Sequence, residues 1–97
     1  MIPFAEIQDA ALPFVRVLIP RWIADACESG DWIKSRVPWR PDKNPSFGVS
    51  LKTGWWHDFA SGEKGDMIDL LCRLRGLSKA ESARELARIV GYEFGRE

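Results

Sequence analysis

Ser46-Phe-Gly-Val-Ser-Leu-Lys52, then Thr53-Gly54, then Trp55-Trp-His-Asp-Phe59 is the stretch from which the architecture follows. In its first half Phe47, Val49 and Leu51 alternate with Gly48, Ser50 and Lys52, the two-residue period of a half-buried strand. Thr53-Gly54 supplies a tight turn. The second half returns with Trp55, His57 and Phe59 on one face and Trp56 and Asp58 on the other. The segment predicts an antiparallel hairpin, with Val37-Pro-Trp39 as a further edge strand, since proline is tolerated at a sheet edge.

Outward from the hairpin the chain is helical. Met67, Leu70, Leu71 and Leu74 recur at helical spacing, with Asp66 placed as N-cap and Gly76 just past the end. Ser78-Lys-Ala-Glu81 is a capping box, and Ala83, Leu86, Ala87 and Val90 carry a second apolar stripe up to Gly91. Neither stripe is stable in water, so both helices are expected to pack on the hairpin. All six prolines lie in the first 45 residues. There the pattern predicts a short helix over about Phe4 to Ala11, stopped before Pro13, and another from about Pro20 through Cys27, closed by Gly30.

The sum is an α+β class: a small antiparallel sheet with N-terminal helices and a C-terminal helical pair. A length of 97 residues fits one domain over 1–97, divided into a helical extension (1–33), a β-ribbon (34–64) and a helical pair (65–97). Two cysteines, Cys27 and Cys72, are too few for a disulfide scaffold and read as buried small hydrophobes. No apolar run approaches the roughly 20 residues of a membrane span. A cytoplasmic protein is expected, with no membrane partner.

The formal charge is zero, from 14 basic and 14 acidic residues, which argues against a nucleic-acid partner until it is divided. Residues 34–64 carry Lys34, Arg36, Arg40, Lys43, Lys52 and Lys64 against Asp42, Asp58 and Glu63, a net of +3, whereas residues 1–33 have a net of −3. Cations interleaved with aromatic rings are what single-stranded nucleic acid needs, charge for phosphates and ring faces for bases. Five tryptophans are available, and Trp39, Trp55 and Trp56 cluster in the basic part; at least two of these three are expected in the core, leaving Trp39 or Trp56 as the base stacker. The lysines and arginines also fit an ordinary solvated face. Gly62-Glu-Lys-Gly65-Asp66 is read as a capped helix start in preference to a phosphate loop, Asp66 and Asp69 as capping acids, and His57 as a packed side chain.

Val37-Pro-Trp-Arg-Pro-Asp-Lys-Asn-Pro-Ser-Phe47 and Trp56-His-Asp-Phe-Ala-Ser-Gly-Glu-Lys-Gly-Asp66 resemble the N-terminal zinc-ribbon domain of bacterial and phage DNA primases. There the first block reads Cys-Pro-x-His before Pro-Ser-Phe, and the second Cys-x-x-Cys-Gly-x-x-Gly-Asp. Pro38, Pro45, Ser46, Phe47, His57, Phe59, Gly62, Gly65 and Asp66 keep the frame, but the ligand positions hold Val37, Arg40, Asp58 and Ser61. Valine and arginine cannot coordinate zinc, so a metal-free version is expected, similar to primase-like proteins of mobile elements, with no cofactor. Its stability would then draw on Val37 and the extra tryptophans. The resemblance implies a DNA-binding, preferentially single-stranded, replication accessory module. Lys34, Arg36, Arg40, Lys43, Lys52 and Lys64 would take phosphates. No catalytic constellation is visible, because primer synthesis in that family lies on a separate polymerase domain. The alternatives are an interaction module docking on a polymerase, primase or helicase, and the detached N-terminal part of a primase acting in trans.

Overall fold

The hairpin lies at the centre of a larger sheet. A computed structural model describes residues 1–93, which leaves the last four residues of the expected helical third outside the described residues. Five strands, β1 (Cys27–Ser29), β2 (Trp32–Ser35), β3 (Phe47–Ser50), β4 (Trp56–Asp58) and β5 (Lys64–Gly65), form one sheet in the order of the chain, each neighbour antiparallel. The central register sets Phe47 opposite Asp58 and Val49 opposite Trp56.

The N-terminal third differs from expectation. Helix α1 (Phe4–Ala11) is where the sequence places it, but α2 runs over Val15–Trp22 and not from Pro20 to Cys27. A 3₁₀ turn at Leu12–Phe14 absorbs Pro13, after which Val15, Leu18 and Ile19 present one buried stripe. Pro20 removes one N–H near the end of α2, and Ile23 is already extended (φ −127°, ψ 110°). Gly30 closes no helix. With Asp31 it makes the two-residue turn of the β1–β2 hairpin, at φ 61°. Cys27 is accordingly exposed on a strand and Cys72 half-buried. Val37–Trp39 forms a turn and not an edge strand, its first N–H going to Asp42 Oδ2 at 2.9 Å.

Helices α3 (Met67–Arg75) and α4 (Lys79–Val90) begin with complete capping boxes, Asp66 with Asp69 and Ser78 with Glu81, and end at Gly76 and Gly91 in the left-handed region. α4 packs on both α3 and α1. One core joins the inner face of the sheet (Ile33, Phe47, Val49, Trp56) to Ile7, Ile19, Leu70 and Leu86 of the helices. The buried Gln8 of α1 uses both ends of its amide: Oε1 accepts from Met67 N at 2.9 Å, and Nε2 donates to Gly54 O at 3.5 Å. Gly54, at φ 75°, approaches that amide more closely than a side chain would allow.

Gly65 is where the sheet meets α3. A Cβ there would stand 2.9 Å from Trp56 Nε1 and from Asp69 Cβ, both fixed by burial or capping. Gly65→Ala is therefore expected to cost about 1–3 kcal/mol through overpacking. Chemical denaturation should show this as a lower midpoint with an unchanged slope, and an unchanged midpoint would contradict the packing described.

Candidate nucleic-acid interface

Paired residues of a sheet project to the same side, so the register sorts the sheet into two faces. On the inner face stand Ile33, Val49 and Trp56 in one row and Ser35, Phe47 and Asp58 in the next, all buried. The outer face carries the row Cys27, Lys34, Gly48, His57 and Lys64, flanked by Trp32 on β2 and by Trp55 and Phe59 at the ends of β4.

The outer rings form a layer. Trp32 meets His57 edge-on at 5.4 Å between centroids and Phe59 at 5.7 Å, while His57 and Phe59 stack at 5.8 Å. Gly48 makes room for them: a Cβ would lie 3.1 Å from Trp32 Cε3 and 3.2 Å from Phe59 Cε2. The layer is open to solvent, with Trp55 41% and Phe59 60% exposed. A cavity of about 360 Å³ lined by Thr53, Trp55, His57 and Lys64 opens there.

Of the tryptophans singled out from the sequence, Trp56 is 2% exposed, with Phe47 stacked on it at 5.7 Å and Trp39 edge-on at 5.1 Å. Arg73 covers Trp39 at 4.6 Å from the ring centroid and pairs with Glu63 at 2.5 Å. Trp56 therefore has no face for a base, and Trp39 is half-buried on the same inner cluster. Two of the three tryptophans go to the core as expected, but the outward one is Trp55. Trp32, which sequence reasoning did not single out, joins it.

The cations also divide. Lys34 and Lys64 lie on the outer face, Lys43 lies in the β2–β3 loop, and among the described residues none of the three forms an ion pair. Lys52 is exposed and 3.3 Å from Asp31, a surface pairing that holds it weakly. Arg36 lies just past β2 beside Asp25, at 4.0 Å. Arg40 points away from this face into a two-pronged ion pair with the buried Asp58. Asp66 and Asp69 are spent on the cap of α3, so the loop before it offers no empty anion site.

The family model of the CHC2 zinc finger matches residues 18–97. The DNA primase of Pasteurella multocida is 38% identical over 60 residues, which are 62% of this chain and 10% of that protein. That of Lactococcus lactis is 33% identical over 74 residues, 76% of this chain and 12% of the other. The crystal structure of the Aquifex aeolicus primase, comprising its zinc-binding and RNA polymerase domains, superposes with a TM-score of 0.78 at 25% identity, covering 93% of this chain and 22% of that one. The chain thus spans about a tenth of the length of the primases it matches.

A zinc finger implies zinc, yet the residues at the ligand positions do not fit the ion. The Val37 side chain is buried in the core and offers no donor, and Arg40 brings a fixed positive charge. Among the described residues, no group of three or more His, Cys, Asp or Glu is placed to hold a metal. The carboxylates nearby are held by protein donors instead. The Arg40 guanidinium keeps Asp58 far below the usual carboxylate range, and the Val37 amide, with Ser46, lowers Asp42. Burial, followed by the neighbouring Asp69, pushes Asp66 the other way. Depressed groups stabilise the fold above their ordinary pKa, about 3.8, and that contribution is lost below it as pH falls through the folded values; the raised Asp66 is relieved earlier, as pH falls from its folded value toward about 3.8. Melting temperature is therefore expected to fall steeply below about pH 4, and Asp58→Asn to flatten that fall. A melting temperature level down to about pH 2 would contradict the assignment.

Proposed function

Because the chain belongs to the CHC2 zinc-finger family of DNA primases, we propose that it binds single-stranded DNA through the outer face of its sheet. It acts as a primase-like or replication accessory module without a catalytic centre of its own. The observation that carries this reading is the coincidence, on one face, of Lys34 and Lys64 with the exposed rings of Trp55 and Phe59 and the half-buried ring of Trp32. Lysines at either side of the ring layer suit a backbone drawn across the strands, and exposed ring faces stack only on bases that are not already paired. This moves the stacking role from Trp39 or Trp56 to Trp55 and Trp32. It leaves Lys34, Lys64, Lys52 and Lys43 as phosphate partners, with Arg36 at the margin and Arg40 withdrawn.

In this reading residues 1–97 work as one module in the cytoplasm, beside a polymerase, primase or helicase, in a mobile element. Among the described residues no helix is long and apolar enough to cross a membrane. The same exposed rings would serve docking on such a replication protein, the second reading, and salt dependence separates the two.

Titration with a single-stranded oligonucleotide should quench tryptophan emission. With about three phosphates neutralised by Lys34, Lys43 and Lys64, Lys52 being shared with Asp31, the slope of log affinity against log salt should be near −2, a loss of roughly ten- to twenty-fold between 50 and 200 mM. Trp55→Ala should weaken binding by about ten-fold or more through the lost stack. Lys34→Ala should reduce the salt slope by about 0.7. Absence of quenching at low salt rejects DNA binding and leaves the docking reading.

A further inference from the structure

The two loops that a structural zinc would hold together are held together here by protein groups. One follows β2 and contains Val37 and Arg40; the other follows β4 and runs from Asp58 to Ser61. The Asp58 carboxylate is 1% exposed and lies on the inner face beside Phe47. Its Oδ1 accepts the amides of Ala60 at 3.0 Å and Ser61 at 3.3 Å, fixing its own turn, and also Arg40 Nη2 at 3.2 Å from the other loop. Its Oδ2 accepts Arg40 Nη1. Asp42 anchors the first loop in a similar way, its Oδ2 accepting Val37 N at 2.9 Å and Ser46 Oγ at 2.8 Å. Every position that the resemblance sets against a ligand is thus accounted for: Val37 fills core, Arg40 crosses, Asp58 accepts, and Ser61 donates its amide.

We propose that the Arg40–Asp58 pair is the metal-free clasp of this ribbon, joining the loops that zinc would join and making the fold independent of the ion. A two-pronged guanidinium–carboxylate contact is directional as well as strong, so it fixes the relative placement of the loops as coordination geometry would. The guanidinium is also incompatible with the ion it replaces, since a dication in the same gap would face a fixed positive charge. The Asp58 carboxylate cannot be left alone either, because an unpaired buried charge is strongly destabilising.

The test uses the whole chain, with thermal melts and metal analysis. Wild type should contain no stoichiometric zinc and melt at the same temperature with and without EDTA. Arg40→Met and Asp58→Asn should each lower the melting temperature by about 10 °C or more, and the double variant should melt no lower than the worse single one. Arg40→Lys, which keeps charge but loses the fork, should fall between wild type and Arg40→Met. Additive losses would mean that Asp58 acts only on the amides of Ala60 and Ser61, and would overturn the proposal. So would bound zinc whose removal lowers the melting temperature, a measurement that stands even if the single variants do not fold.

Discussion

A slip of one residue between β3 and β4 would exchange Trp56 and Asp58 for Trp55, His57 and Phe59, turning the core outward and the ring layer inward. The rest of the molecule depends on that register. With Phe47 opposite Asp58, the inner face carries an aromatic cluster at one row and a buried carboxylate at its end, and each requires a partner. The cluster finds Trp39 and Arg73, and the carboxylate finds Arg40. The turn chemistry reinforces the choice. Ser50 N–H donates to Trp55 O and Gly54 N–H to Ser50 O, so the loop closes with only one alignment of the strands.

Much of this was legible in the chain. Alternation at Phe47-Gly-Val-Ser and Trp55-Trp-His-Asp-Phe59 assigned the correct residues to the two faces, and both capping boxes were visible as Asp66 to Asp69 and Ser78 to Glu81. The first two strands were not. Cys27-Glu-Ser29 and Trp32-Ile-Lys-Ser35 are too short to show a period, and Gly30-Asp31, a good hairpin turn, also fits the end of a helix. Pro20 added to the error, because proline suits a helix start better than the last turn it occupies. Missing β2 concealed Trp32 as a ring of the outer face. The role of Arg40 was hidden for a different reason. A lone arginine among basic residues resembles a phosphate contact, and only the fold brings it to Asp58, 18 residues on.

The zero net charge acquires a structural meaning once the pairs are drawn. Acids of the N-terminal third neutralise cations of the ribbon in space as well as in number: Asp25 lies by Arg36, Asp31 by Lys52. Among the described residues of the ribbon, the cations outside any ion pair are Lys34, Lys43 and Lys64. The attractive field is therefore local and short-ranged, decaying within a Debye length of about 10 Å at moderate salt. It orients a ligand already close to the sheet and does little to gather one from a distance.

Gln8 bears on where the folding unit begins. The family match starts at residue 18, beyond α1, yet Ile7 and Ala11 of that helix belong to the same core as Leu70 and Leu86. The Gln8 amide serves the hairpin turn and the start of α3 at once. Cutting the chain at the homology boundary would strip the Met67 amide and the Gly54 carbonyl of their partner and leave apolar surface bare on two further helices. The family match and the cooperative unit therefore have different edges, and the first helix belongs to the unit that folds.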